Sequence, residues 1–453
     1  MRGTVELHAI VDEGLGNSAY LVDLGDGRAL AVDAGRDLRA LRTCAQRHGL
    51  QVAFAADTHL HADFLSGARD LAAGGARVLA SAAGDRQFPH EGLREGDEVD
   101  LGGLVLRALA TPGHTSEHLS YLLLDGSVPL GVFTGGSLIV GAAARTDLLG
   151  PGRTEPLARQ QWHSLQRLAE LPDATVVWPT HGAGSFCAAP AGAARTSTIG
   201  REKLANPLLT AGSEQVFVEA LLASLGAFPP YFLRLGEANR LGPRPLATAP
   251  QLAALDAQEV VRQIAAGAML VDVRSVGEYA ASHVAGAVSI PLRGVFATWL
   301  GWAVNPDQPV VVVRDADQDP DEIVWQAAKI GCDRLVGELA GGLPSWTAAG
   351  LPTISPSVLG ADELDGREVL DVRQQVEFGA GHVPGARSVE LSRLAEGHSP
   401  IVADGAAVMC GHGERAMTAV SLLERSGARD LAVVVGGPED WAAHSGRPLQ
   451  VGA

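Results

Sequence analysis

Residues 272–287, DVRSVGEYAASHVAGA, return at residues 371–386 as DVRQQVEFGAGHVPGA, an offset of 99 residues. A repeat of that length means that one α/β unit is folded twice. Each copy starts after an apolar strand (Ala268–Val271, Glu368–Leu370) and ends in a Gly-Gly-x-x-x-Trp element, Gly341–Trp346 and Gly436–Trp441. Two α/β domains are therefore expected, over 250–353 and 356–451. The paired Asp272 and Asp371, Arg274 and Arg373, Glu278 and Glu377, and His283 and His382 suit loop-pinning by charge-assisted hydrogen bonds. Ahead of the repeats, the Pro-rich stretch Phe228–Pro250 interrupts regular structure and reads as a linker. Residues 1–245 then form a separate front domain with its own C-terminal extension.

The front domain is organised around Asp57–Gly67, DTHLHADFLSG. An apolar run of strand length, Val52–Ala56, precedes it and a helical segment follows, so His59, His61 and Asp63 fall in the loop leaving a strand. Donors at i, i+2 and i+4 cannot share one face of a regular strand or helix, but an irregular loop can turn them onto one metal ion. His114, in ATPGHTSEH, and His181, in VVWPTHGAGS, each follow another apolar run. A metal site built from His59, His61, Asp63, His114 and His181 is expected. His118 reads as a polar loop histidine without a part in it. The stripe Leu38, Leu41, Cys44 and Ala45 predicts a helix over 38–48 with Cys44 in the core, and further helices are expected over 160–171 and 213–225.

In the second repeat the apolar run Gly405–Met409 ends in Cys410, and Cys410-Gly411-His412-Gly413-Glu414-Arg415 leads into the helical segment Ala416–Arg425. A cysteine at a helix N-terminus, with inward backbone N–H groups and an arginine nearby, favours its thiolate. Gly411 and Gly413 let the backbone curl around the sulfur as an anion nest. Cys410 and Arg415 are thus the candidate catalytic residues, with Gly411, His412, Gly413 and Glu414 lining the substrate position. The first repeat has Arg314 or Asp315 at that point, and Cys332 lies beyond the next helix, so this copy is expected to be a non-catalytic scaffold.

The order HxHxD, TPGHT and PTHGAGS resembles the metallo-β-lactamase fold, and the repeated motif with its C-x-x-G-x-R loop resembles rhodanese domains. The fold class this implies is α/β throughout: an N-terminal αββα sandwich followed by two rhodanese-like α/β domains. The combination resembles the persulfide dioxygenase and sulfurtransferase fusions of bacterial sulfide metabolism. That resemblance implies one Fe(II), with Zn(II) as the alternative, held by His59, His114 and the aspartate of an FTGD motif. Here the motif reads Phe133-Thr134-Gly135-Gly136, leaving Asp63 as the only motif carboxylate, and Phe64 stands where dinuclear hydrolases of the fold carry a histidine. The implied reaction oxidises a low-molecular-weight persulfide to sulfite, while Cys410 moves sulfane sulfur to or from a thiol, sulfite or thiosulfate. Two other functions compete: a metallo-hydrolase of thioesterase type, which loses a ligand at both Phe64 and Gly136, and a sulfurtransferase with a metal-poor, non-catalytic front domain.

Charge narrows the partners. With 35 Lys plus Arg against 52 Asp plus Glu the net charge is −17, which repels nucleic acid. Four scattered cysteines, Cys44, Cys187, Cys332 and Cys410, form no C-x-x-C pair and point to a reducing, cytoplasmic setting. No apolar run reaches the roughly 18 residues of a membrane span, so no membrane partner is expected. Whether the protein is a homo-oligomer is left open.

Overall fold

The structure, a computed structural model, describes residues 5–187, 192, 194–246, 248, 250–364, 366–398 and 402–452. The chain divides into two units, Met1–Ala249 with Ala328–Gly331, and Pro250–Ala327 with Cys332–Ala453. None of the helices among the described residues is long and apolar enough to cross a membrane.

The first unit holds two six-stranded sheets. One runs β1 (Leu7–Asp12), β2 (Asn17–Asp23), β3 (Arg28–Val32), β4 (Gln51–Ala56), β5 (Arg77–Ser81) and β6 (Glu91–Leu93). The other runs, from its far edge inward along the chain, β7 (Glu98–Asp100), β8 (Leu104–Ala110), β9 (Leu119–Asp125), β10 (Val128–Gly135), β11 (Val176–Pro179) and β12 (Ser197–Thr198). Side chains alternate across a strand, so each strand serves two cores. Tyr20, Val22, Tyr121 and Leu123 pack between the sheets. Their neighbours Leu21, Leu122 and Leu124 face outward, against helices. On the first sheet the cover is α1 (Arg39–Arg47) and α2 (Ala68–Ala73); on the second it is α3 (Pro151–Ala169), α4 (Ile199–Ala205) and α5 (Glu214–Ala223). Each of these buried leucines contributes about 1.5–3 kcal/mol through the water it sheds. The result is the expected αββα sandwich.

Two helices depart from expectation. α3 starts at Pro151 rather than near residue 160, because a proline at the first helical position has its missing N–H where no partner exists anyway. The supposed linker contains α6 (Phe232–Leu241): Pro229 and Pro230 lie ahead of it, and FLRLGEANRL itself is free of proline, with Phe232, Leu235 and Asn239 buried.

In the second unit the repeats give two five-stranded parallel sheets of equivalent strand order. The shared motif closes the same loop twice. Arg274 pairs with Asp272 at 2.7 Å and donates to the Ser282 carbonyl; Arg373 pairs with Asp371 at 2.8 Å and donates to the Gly381 carbonyl. His283 stacks on Tyr279 and His382 on Phe378, with ring centroids 3.6 and 3.7 Å apart. Strand register sets Val313 opposite Asp272 as Met409 is opposite Asp371, so Arg314 occupies the place of Cys410. Arg314 forms an ion pair with Glu338. The helix that follows Cys410, Glu414–Arg425, packs against the first repeat: Thr418 donates to the Ser289 carbonyl, and Ser289 N–H donates to Ser421. One continuous apolar cluster joins the repeats, from Val260, Leu270 and Val311 to Leu370, Val408 and Val420.

Candidate functional site

All five predicted metal donors lie at the C-terminal ends of strands, in the loops after β4, β8 and β11, where ligands of α/β sheets are commonly bound. His59, His114 and His181 are buried and bring their ligand atoms within 4.8 Å of one another. The hydrogen bonds behind them decide which nitrogen is free. Thr58 gives its hydroxyl proton to Asp33, so its oxygen takes the proton of His59 Nδ1 at 2.9 Å. His114 Nδ1 lies 2.7 Å from the carbonyl of Arg145, a pure acceptor. Asn17 donates to Asp63 through its amide nitrogen, leaving its oxygen to accept from His181 Nδ1 at 3.0 Å. Each ring therefore turns Nε2 inward as the nitrogen left open to a cation, whether proton or metal ion. His59 Nε2 and His181 Nε2 are 3.4 Å apart, and His114 Nε2 has no hydrogen-bond partner. Three converging lone pairs repel one another unless a cation lies among them, so this donor set fits a metal ion.

His61 and Asp63 form an adjoining set that shares His181. His61 Nε2 faces Asp33 at 3.1 Å, which leaves its buried Nδ1 unpartnered, as is Asp63 Oδ1. Burial would raise the Asp63 carboxyl, but the charge and hydrogen bond of His181 hold it down at about 2. Cys187 is the residue that motif reading missed. It is fully buried beside His181 and His114; burial pushes its thiol up, and the His181 charge together with hydrogen bonds from His114 and His181 brings it down to about 7. Burial works against a charge on His181 as well, yet Cys187 and Asp63 raise it well above the ordinary imidazole range. Positive charge is thus drawn to this point. Burial, followed by the neighbouring imidazoles, keeps His59 far below that range, in the neutral form that binds metals.

Two further positions are closed. Phe64, only 3% exposed, stacks on His61 with centroids 4.2 Å apart, filling the place of a second-metal histidine. A Cβ on Gly136 would come 2.3 Å from Cδ2 of His114, so the ring uses the room that an aspartate there would need. His118, as expected, takes no part in the metal site, although it is buried and stacked on His59. Its Nε2 accepts from Gly136 N–H at 3.1 Å and its Nδ1 meets Thr111 at 2.9 Å, so neither nitrogen is left for a metal.

The helix found inside the supposed linker braces this loop. Asn239, fully buried on α6, donates to the carbonyls of His61 and Phe64 and accepts from Ser66 N–H. Asn239→Ala leaves those backbone groups unpaired. It should destabilise the fold by about 2–3 kcal/mol and weaken metal retention, both readable from chemical unfolding and metal content of one preparation. An unaltered unfolding midpoint would show that the brace is dispensable.

At the other candidate site Cys410 is buried, and Gly413, with φ of +92°, turns its N–H onto the sulfur at 3.1 Å. Arg415 is spanned by both oxygens of Glu377, at 2.6 and 2.8 Å, which orients its guanidinium beside the loop. Gly411 is half-buried and His412 exposed, whereas Glu414 is held by an ion pair with Arg293. Cys332 is a core residue of the first repeat.

Residues 12–181 match the Metallo-beta-lactamase superfamily, and residues 256–349 and 359–444 match the Rhodanese-like domain. Among relatives, the mitochondrial persulfide dioxygenase ETHE1 of Homo sapiens is 29% identical over 171 residues, 37% of this chain and 60% of that protein. A hydroxyacylglutathione hydrolase of Cereibacter sphaeroides (strain ATCC 17029 / ATH 2.4.9) is 36% identical over 173 residues, 36% of this chain and 62% of that protein. The chain therefore spans about 60% of the length of these relatives. Among solved structures, a metallo-beta-lactamase from Staphylococcus aureus subsp. aureus COL is similar with a TM-score of 0.64 at 30% identity, covering 75% of this chain and 99% of that one.

Proposed function

Because the chain belongs to the metallo-β-lactamase superfamily and continues into two rhodanese-like domains, we propose that it is a metal-dependent persulfide dioxygenase joined to a sulfurtransferase. The observation that carries this reading is the convergence of three Nε2 lone pairs at a centre whose second-metal positions are closed by Phe64 and by His114 against Gly136. Bound Fe(II) would supply dioxygen chemistry, taking a persulfide, dioxygen and water to a thiol and sulfite. His59, His114 and His181 would hold the ion. Thr58, the Arg145 carbonyl and Asn17 keep the three rings aimed, and Asp63 supplies the nearest negative charge. Domains 1–245, 250–353 and 356–451 would divide the work, the middle one as scaffold.

Cys410 acts separately. Its thiolate attacks the outer sulfur of a persulfide, forming the cysteine persulfide while the low-molecular-weight thiolate leaves. Sulfite then attacks that outer sulfur, giving thiosulfate and returning the Cys410 thiolate. Arg415 and the loop N–H groups steer these anions. Such thiol chemistry requires a reducing compartment, which the cytoplasm provides, and all four cysteines are free.

A hydrolase reading draws on the hydroxyacylglutathione hydrolase relatives. Elemental analysis of protein purified without added metal, run beside an oxygen electrode, separates the readings. One iron per chain with persulfide-dependent oxygen uptake is expected. Two zinc ions with thioester hydrolysis would transfer the assignment to the hydrolase, and absence of stoichiometric metal would reduce the front domain to a scaffold.

A further inference from the structure

A second cluster of metal donors lies in the first unit, outside the centre described above. β1 is an edge strand, and α1 packs over its sheet. His8 lies two residues from Ile10, which packs into the core beneath α1, so both side chains point to that helix. Cys44, in the helix, and His48, its C-cap, are four residues apart and come to the same side of it. The ligand atoms of His8, Cys44 and His48 come within 4.8 Å of one another. The two imidazoles have centroids 4.0 Å apart. Cys44 is therefore not the plain core residue its helical spacing suggests.

The contacts inside this cluster do not saturate it. Glu6 Oε1 stands 3.7 Å from His8 Nε2 and 3.9 Å from His48 Nδ1. Both separations are too long for hydrogen bonds, and His8 Nε2 is a buried nitrogen without a hydrogen-bond partner. They are close to the edge of a tetrahedron around a zinc ion, roughly 3.3–3.8 Å for metal–ligand bonds of about 2.0–2.3 Å. One thiolate, one carboxylate and two imidazoles would also balance the charge of a divalent ion.

We propose that Glu6, His8, Cys44 and His48 form a Zn(II) site that clips α1 to edge strand β1. Borderline-soft donors of this kind select zinc over magnesium or calcium. Four protein ligands leave no open position, so the site is structural. Binding displaces the thiol proton of Cys44, and no electron is transferred.

The test uses the full-length protein, stripped with a chelator and then titrated with Zn(II). Without any substitution, Zn(II) should slow alkylation of Cys44 by about tenfold, read by peptide mass spectrometry. It should also raise the melting temperature. Cys44→Ser and His48→Gln should each bind one equivalent fewer than wild type, and the Co(II)-loaded protein should lose thiolate-to-metal absorbance in Cys44→Ser. An unchanged Cys44 alkylation rate in the presence of Zn(II) overturns the proposal, as do equal metal equivalents in wild type and both variants. Either result would leave only an imidazole–carboxylate cluster.

Discussion

Cys410→Ser is expected to abolish sulfur transfer from thiosulfate or a persulfide to an acceptor thiol, a loss of about 10³-fold or more. The sulfur does two jobs that oxygen cannot do there. It must attack a sulfur electrophile, and it must carry a second sulfur that a nucleophile can later remove. A serine hydroxyl accepts the Gly413 N–H as readily as sulfur does, so the loop should keep its shape while the chemistry is lost. Metal content should not change. Cys332→Ser in the first repeat should leave transfer near wild type, because Arg314, held by Glu338, fills the position equivalent to Cys410. Equal loss of transfer in the two variants would show that the inactive repeat had been misassigned.

The second large effect concerns Gly136. Motif comparison suggests that an aspartate here would simply add the missing ligand. Any side chain at 136, however, brings a Cβ within 2.3 Å of the His114 ring, and Thr58 and His118 already crowd the preceding Gly135. Gly136→Ala should push His114 away from the Arg145 carbonyl that aims it and reduce bound metal by more than about tenfold, comparable to losing a key orienting contact. Gly136→Asp displaces the same ring but offers a carboxylate in exchange, so it should retain more iron than the alanine variant. Metal analysis and persulfide-dependent oxygen uptake on the pair decide the matter. An alanine variant with full iron content would show that His114 is not a ligand.

Much of this architecture is legible in the residue order because its determinants are local. Near-continuous apolar runs along β2 and β9 mark strands with two buried faces, and the 99-residue repeat announces two copies of one fold. The candidate metal-donor histidines are visible because each follows an apolar run. What was hidden depends on contacts between distant residues. Asn17 meets His181 across 164 positions, and Asn239 meets His61 across 178, so no spacing rule connects them. Cys187 follows His181 by six residues, but nothing in its own surroundings marks it as facing the imidazoles. Proline content hid α6, although both prolines of its approach lie outside the helix.

The continuous apolar cluster that runs from Val260 to Val420 bears on inheritance as much as on packing. A duplicated domain that has lost its nucleophile is normally free to drift or be deleted. Here the helix carrying the Cys410 loop rests on Ser289 of the first copy, and Arg425 donates to the Gly286 carbonyl. Removing the first copy would strip one wall from the second and expose apolar surface on both sides of the break. The pair should therefore melt in a single transition, and selection on either copy would preserve the other along with it.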